Sequence, residues 1–236
     1  MYVFNNIKKD GNWWNVEVLS GKVMDMIISD NFQCYASLDQ AFEKVLNFDR
    51  AIDVGTWIGD STEYMCRQFA HVIGFEPNPV VYKCCIKNLQ EKSVENVVVY
   101  NKGLSDVTGH KLLFNKSTTF SGWINTVEGN VPEVYQQKSI AVESIRLDDY
   151  NFENIDFIKI DVDSHEGYVL DGARKFLENN SPVIMLENKL SIRDRQHINM
   201  PDPVTILNDL GYNCVAKVAR HDYIFIKTDV HRTTTI

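Results

Sequence analysis

The chain has 236 residues, 44% apolar and 24% charged, with a net charge of −8, which suits one sizeable domain with its own core. That acidity argues against an extended phosphate-tracking surface and disfavours nucleic acid as a partner. The five scattered cysteines form no C-x-x-C pair, and no apolar run reaches membrane-span length or makes a signal-peptide core, so a cytoplasmic protein with reduced thiols, no zinc site and no membrane partner is expected.

Residues 1–35 read as an N-terminal extension, with a short strand pair in "GNWWNVEVLSGKVMDMII". The main domain is expected over 36–228, opening with a helix in "ASLDQAFEKVLNF". There Ser37 and Gln40 have capping-box spacing, and Leu38, Ala41, Phe42, Val45 and Leu46 form one stripe. A short strand follows at 51–54, then a helix at 60–70 opened by Asp60 or Ser61, a strand at 71–76, and a helix at 79–92 with Pro79 in its first turn. The adjacent Cys84 and Cys85 of that helix read as buried thiols. The β-branched run at 96–100 is a third strand.

Residues 106–146 break this rhythm with short runs separated by Gly and polar turns, as expected of a β insertion. The alternation resumes with a very apolar strand at 155–161 and a helix at 164–179, where Val169, Leu170, Ala173, Phe176 and Leu177 share a face. A strand at 182–187, a helix at 202–211 closed by Gly211, and a terminal hairpin complete the domain before a tail at 229–236. The predicted fold is α/β: a doubly wound, mostly parallel, seven-stranded, Rossmann-like sheet with a final antiparallel hairpin strand and a small β insertion.

Four acids then fall at strand ends: Asp53, Glu76, Asp161 and Glu187. In such a sheet these positions face one crevice. The glycines in D-V-G-T-W-I-G make a G-x-x-x-G, not the dinucleotide fingerprint, which argues against a nicotinamide oxidoreductase. Gly55 permits the strand-to-helix turn, and Gly59 lets a ligand or a helix approach closely. Glu76 lies 21 residues after Gly55, the usual interval to an acid that accepts hydrogen bonds from ribose hydroxyls. A ligand with a ribose and an amino-acid end fits without a pyrophosphate cradle, and that ligand is S-adenosyl-L-methionine. Asp53, the Gly55–Gly59 loop with Thr56 and Trp57, and the following Asp60 and Ser61 are expected at the methionine end. Glu76, with Pro77 and Asn78 beside it, is expected at the ribose, and Gly103 and Leu104 over the adenine. The simpler reading of the two glycines is helix–sheet packing alone.

The segments "AIDVGTWIGDSTEYM", "VIGFEPNPVVYKCCIKNL", "IRLDDYNFENIDFIKIDVDSHEGYVLDGA" and "PVIMLE" resemble the FkbM family of S-adenosylmethionine-dependent methyltransferases from about residue 50 to 187. The runs Phe75–Pro79 and Leu147–Tyr150 carry most of the specificity. The resemblance implies a class I methyltransferase fold and methyl transfer, usually to oxygen, on a small-molecule or glycan acceptor. One segment departs from the family's K-I-D-V-E-G-x-E. Here it reads K-I-D-V-D-S-H-E, with Asp163 and Ser164 in place of Glu and Gly, while Asp161 and Glu166 match.

Methyl transfer depends mainly on positioning, and a hydroxyl acceptor is helped by a general base. Asp161 and His165 are the catalytic candidates, His165 because neighbouring acids would raise its pKa; its simpler reading is a helix-capping histidine. Asp161 is also a candidate cofactor contact. Asp161, Asp163 and Glu187 could gather Mg²⁺, but their spacing is not diagnostic and no metal is assigned. Lys159, inside its strand, pairs with a neighbouring acid or serves structure. Trp13, Trp14 and Trp123 read as packing residues. Two other classes stay open: a nicotinamide oxidoreductase, which shares the sheet and the ribose acid but lacks the phosphate fingerprint, and a non-catalytic S-adenosylmethionine-binding or scaffold protein; an RNA ribose methyltransferase is a lesser enzyme alternative, which the acidic charge disfavours.

Overall fold

Apolar, β-branched runs along the chain pair into one seven-stranded sheet, and their register decides what stands at its edge. The computed structural model describes residues 4–9, 12–17, 34–109, 111–115, 123–124, 139–162, 165–189 and 201–228. The elements in chain order are β1 (Phe4–Lys9), β2 (Asn12–Glu17), α1 (Cys34–Phe42), β3 (Arg50–Val54), α2 (Asp60–Cys66), β4 (His71–Phe75), α3 (Pro79–Glu91) and β5 (Val97–Tyr100). Then come β6 (Gly103–Leu104), β7 (Lys111–Asn115), β8 (Trp123–Ile124), β9 (Ser139–Ile145), β10 (Ile155–Ile160), α4 (Glu166–Asp171), α5 (Arg174–Asn180), β11 (Val183–Glu187), α6 (Pro203–Asp209), β12 (Tyr212–Lys217) and β13 (Asp222–Lys227).

The main sheet runs β12-β13-β11-β10-β3-β4-β5. Its five strands from β11 to β5 are parallel, and β13 is antiparallel to both β11 and β12. This is the predicted mostly parallel sheet with a closing hairpin. The chain winds outward from β3 through β4 and β5, then returns to β10 on the other side of β3. That reversal opens a crevice beyond the C-terminal ends of β3 and β10.

Strand side chains alternate between faces, so the sheet has two apolar layers. Ile52, Val54, Ile158, Ile160, Ile184 and Leu186 pack against Val169 and Leu170 of α4, Leu177 of α5 and Leu207 of α6. Ala51, Val72, Phe157, Val183, Met185 and Ile224 pack against Leu38 and Phe42 of α1 and Met65 of α2. Each fully buried large side chain here contributes about 2 kcal/mol of transfer free energy.

Three local expectations are corrected. Gly59, not Asp60 or Ser61, stands at the N-cap of α2, without a side-chain cap bond. The first helix spans Cys34–Phe42, so Ser37 lies inside it and no capping box forms at 37–40. Gln40 Nε2 instead donates to the Ala36 carbonyl at 3.2 Å, and the chain turns out through i→i+3 bonds at Lys44 and Val45. The predicted helix at 164–179 is two helices, because Asp148 intrudes on its hydrogen-bond ladder. The Asp148 amide donates to the Gly172 carbonyl at 3.0 Å, and its Oδ1 accepts from the Phe176 amide at 2.9 Å. Asp148 thereby caps α5 from a distant loop, which gives the L-D-D-Y run a structural role.

Gly103–Leu104 forms a short strand, parallel to β9 of the 106–146 segment, and β7 pairs antiparallel with β8 and β9. Asp163, Ser164 and the tail at 229–236 lie outside the described residues. Among the described residues no helix is long and apolar enough to cross a membrane.

Candidate active site

The glycine bend follows directly from β3. Gly55 (φ +89°), Trp57 (φ +49°) and Gly59 (φ +90°) all occupy left-handed backbone. A Cβ on Gly55 would stand 2.0 Å from the Asp161 carbonyl oxygen, and one on Gly59 would meet Cys85 Sγ at 3.0 Å. Both glycines therefore make room for protein: Gly55 for the end of β10, Gly59 for α3. Of the two close approaches the sequence allows at Gly59, the helix is the one seen. Trp57 differs, because a bulky residue in this region costs about 1–3 kcal/mol and persists only where its surroundings demand it. Its amide is turned toward Glu76.

Glu76 closes β4 and is buried. Its Oε2 accepts from the Trp57 amide at 3.0 Å and its Oε1 from the Asn78 amide at 2.8 Å. Asn78 caps α3, its Oδ1 accepting from Val80 at 3.0 Å. Thr56 and Pro77 complete the rim; Thr56 is buried, and its methyl fills the space a Cβ on Gly74 would need. Asn88, a polar residue on the buried face of α3, secures the bend by donating to the Ile58 carbonyl at 2.8 Å. Sequence reasoning did not single it out, although a buried Asn among apolar helix positions is a usable signal.

The second side of the crevice is set by strand register. Asp53 is the cross-strand partner of Lys159 on β10, and Ile160 is that of Leu186 on β11. One residue further, Asp161 stands beside Glu187, which is itself paired with Asp222 on β13. Because alternate residues share a face, Asp53, Lys159, Asp161, Glu187 and Asp222 all project to the α1–α2 side. Lys159 Nζ lies 3.5 Å from Asp53 Oδ1 and 3.3 Å from Asp161 Oδ2. The expected pairing of Lys159 is with a neighbouring acid; it pairs with two, Asp53 on β3 and Asp161 beyond β10.

Asp53 is wholly buried, its Oδ2 accepting from Ser61 Oγ at 2.8 Å and Thr62 Oγ1 at 2.7 Å. Burial pushes its carboxyl above the usual range, while Lys159 and the two hydroxyls pull it back. Asp60 and Ser61 are buried with it at the start of α2. Asp161 is the accessible acid: its side chain is 40% exposed, against 0% for Asp53, 4% for Lys159 and 15% for Glu187. Burial alone would raise its carboxyl; Lys159, a hydrogen bond with Glu187, and Lys189 together hold it well below the usual range. Glu187 is pushed up to about 10 by burial, then by the Asp161 charge and the bond between them, against the pull of Lys189. Among the described residues no group of three or more His, Cys, Asp or Glu side chains is arranged to hold a metal ion.

His165 begins α4 and is buried, so it does cap a helix position, though without a side-chain cap bond. Its Nε2 lies 3.0 Å from Ser105 Oγ, which is also 3.0 Å from Asp106 Oδ1. The Ser105 proton goes to the carboxylate, which only accepts, so His165 Nε2 carries the hydrogen and donates to Ser105. Leu104, next to Ser105, is buried against the main core. This linkage joins the Gly103–Leu104 segment to α4. Burial pushes the Cys66 thiol up to about 12 and the Cys85 thiol higher still, so neither is a nucleophile.

The donor set suits the expected cofactor. Glu76 is a carboxylate fixed beside the bend, a group able to accept from a diol, and Asp161 is an exposed anion able to face a cationic centre. The sequence matches the model of the Methyltransferase FkbM domain over residues 53–214. The crystal structure of methyltransferase FkbM from Methylobacillus flagellatus KT is similar, with a TM-score of 0.50 and 17% identity. The match takes in 82% of this chain and 53% of that one, so this chain spans about half of that protein's length. A SAM-dependent methyltransferase from Aquifex aeolicus matches at a TM-score of 0.47 and 12% identity, over 84% of this chain and 94% of that one. At 17% identity the likeness to the Methylobacillus protein is one of fold. No protein of curated function matches the sequence.

Proposed function

The chain belongs to the FkbM methyltransferase family, and from that premise we propose that it methylates a hydroxyl oxygen of a small molecule or glycan, with S-adenosyl-L-methionine as donor. The observation that carries this reading is Glu76, fixed at the mouth of a left-handed bend by the Trp57 and Asn78 amides. When bound, the cofactor supplies an electrophilic methyl group on a sulfonium. Glu76 accepts hydrogen bonds from the ribose hydroxyls, and Gly103 and Leu104 line the adenine side. Backbone from Gly55 to Gly59 borders the amino-acid end, with Asp53 acting from below through Ser61, Thr62 and Lys159.

Asp161 faces the acceptor and, held ionised, orients its hydroxyl. His165, hydrogen-bonded through Nε2 to Ser105, is the candidate general base for the hydroxyl proton. Titration calorimetry with S-adenosylhomocysteine tests the reading. Micromolar binding is expected, and Glu76→Ala should weaken it about a hundredfold, the loss of two charge-assisted hydrogen bonds of about 1.5 kcal/mol each. Absence of binding to the wild-type chain would remove the proposal. A screen of hydroxylated small molecules and sugars for homocysteine-product release then tests the acceptor class; binding without release from any of them would favour a non-catalytic role.

A further inference from the structure

Ser105 is a polar residue buried between β9 and α4. Its amide donates to the Ile145 carbonyl at the end of β9, at 3.0 Å. Its own carbonyl lies over Gly172 at the end of α4, where a Cβ would stand 2.0 Å from the carbonyl oxygen and 3.0 Å from the Asp106 Cα. Glycine is what lets the Ser105–Asp106 backbone seat there. The same helix carries His165 at its start, and Ser105 Oγ meets the ring Nε2 at 3.0 Å. Tyr168, one turn along α4, lies against that ring with centroids 4.9 Å apart. Backbone seat and ring packing thus hold the imidazole and the hydroxyl in one arrangement.

The proton count gives this contact a direction. Ser105 has one hydroxyl hydrogen, and Asp106 Oδ1 takes it at 3.0 Å. His165 Nε2 is therefore the donor in its bond to Ser105. In a neutral imidazole the bond made by one nitrogen sets the tautomer, so the basic lone pair falls on Nδ1. An amide in place of the carboxylate could itself donate to Ser105. The hydroxyl hydrogen would then turn to Nε2, and the ring would carry its own hydrogen on Nδ1.

We propose that Asp106 is a positioning residue: acting through Ser105, it holds His165 in the Nε2–H tautomer and so reserves Nδ1 as the nitrogen that takes the acceptor's hydroxyl proton. This rests on the methyltransferase reading for its purpose, though not for its chemistry. As the acceptor oxygen bonds to the methyl carbon, the carbon–sulfur bond breaks with its electron pair left on sulfur, and the hydroxyl proton passes to Nδ1. The resulting imidazolium is balanced by the Asp106 charge one hydroxyl away, and the proton then leaves to water. The titratable groups around the ring are Asp106 beyond β6 and, on α4, Glu166, which accepts from the Val162 amide at 3.3 Å, and Tyr168.

Long-range ¹H–¹⁵N correlation spectra of the histidine rings, recorded on the chain alone at mildly alkaline pH, test this. The His165 ring is identified by its through-space contact with the Tyr168 ring. In the wild type its hydrogen should sit on Nε2 and its lone pair on Nδ1. In Asp106→Asn the ratio of the two tautomers should move at least about tenfold toward Nδ1–H, the effect of one lost charge-assisted bond. A purely structural role for Asp106 would leave that ratio unmoved. A wild-type ring with its hydrogen on Nδ1 overturns the proposal, and that spectrum needs no variant to fold. An unchanged ratio in a cooperatively melting Asp106→Asn chain overturns it equally. Failure of the wild type to bind S-adenosylhomocysteine would instead overturn the methyltransferase reading, since the tautomer is read without any ligand.

Discussion

At the β3–β4 side of the crevice the shaping groups are backbone: two glycines, a left-handed Trp57, and amides aimed at one fixed acid. At the β10–β11 side they are ionisable side chains, with Lys159 and Lys189 set among Asp53, Asp161, Glu187 and Asp222. Backbone amides keep their hydrogens at any working pH, so the first side offers a geometry that does not titrate. The second side depends on charge balance and can pass a proton. The split suits a reaction in which one ligand is the same at every turnover while the other must be deprotonated.

The comparison breaks most severely where the two sides touch. Gly55→Ala would drive a Cβ to within 2.0 Å of the Asp161 carbonyl oxygen at φ +89°. The expected loss is upward of about 4 kcal/mol, read by chemical denaturation. A loss under about 1 kcal/mol would mean that the sides are not joined there.

Next in size is Lys159→Met, which leaves Asp53 and Asp161 facing each other without their shared cation. About 3 kcal/mol should be lost, and adding Asp53→Asn should recover part of it. If the double variant is no better than the single, the charge balance assigned to this side is wrong.

On the backbone side, Asn78→Ala removes the α3 cap. It should cost about 1 kcal/mol, and Asn78→Asp should restore most of that. Melting curves of the two variants at neutral pH decide it.

The smallest effect sharpens the contrast in pH response. Glu187 titrates near 10 in the folded chain and near 4.5 when unfolded. Between those values the folded state holds a proton that the unfolded state has released, so wild-type stability from this group falls as pH rises. Glu187→Gln cannot titrate. Its melting temperature should therefore gain on the wild type with increasing pH, by about 2 °C or more at mildly alkaline pH. A gap that stays constant with pH would show that Glu187 does not hold the extra proton.

Much of this was legible in the sequence because it is local. Alternation of period two with period 3.6 marked the parallel sheet from residue 51 onward. Left-handed turns need glycine, so Gly55 and Gly59 announced the bend, and Glu76 ended the next strand at a telling distance. Packing read from a single helix was less secure. The run 164–179 has one continuous apolar face, yet Asp148 cuts it at Gly172, and no feature within the helix itself announces a cap supplied from another loop.

The sequence by itself determined which strands, turns and acids this protein has, since those follow from side-chain periodicity and backbone sterics over a few residues. The tertiary structure alone decided their company: Asp53 with Lys159, Asp161 with Glu187, Ser105 with His165. Those partners come from different strands and loops, and meet only through strand order and register. Whether a carboxyl is a base, a proton donor or a buried counter-ion depends on its neighbours' charge and its access to water, and folding is what sets both.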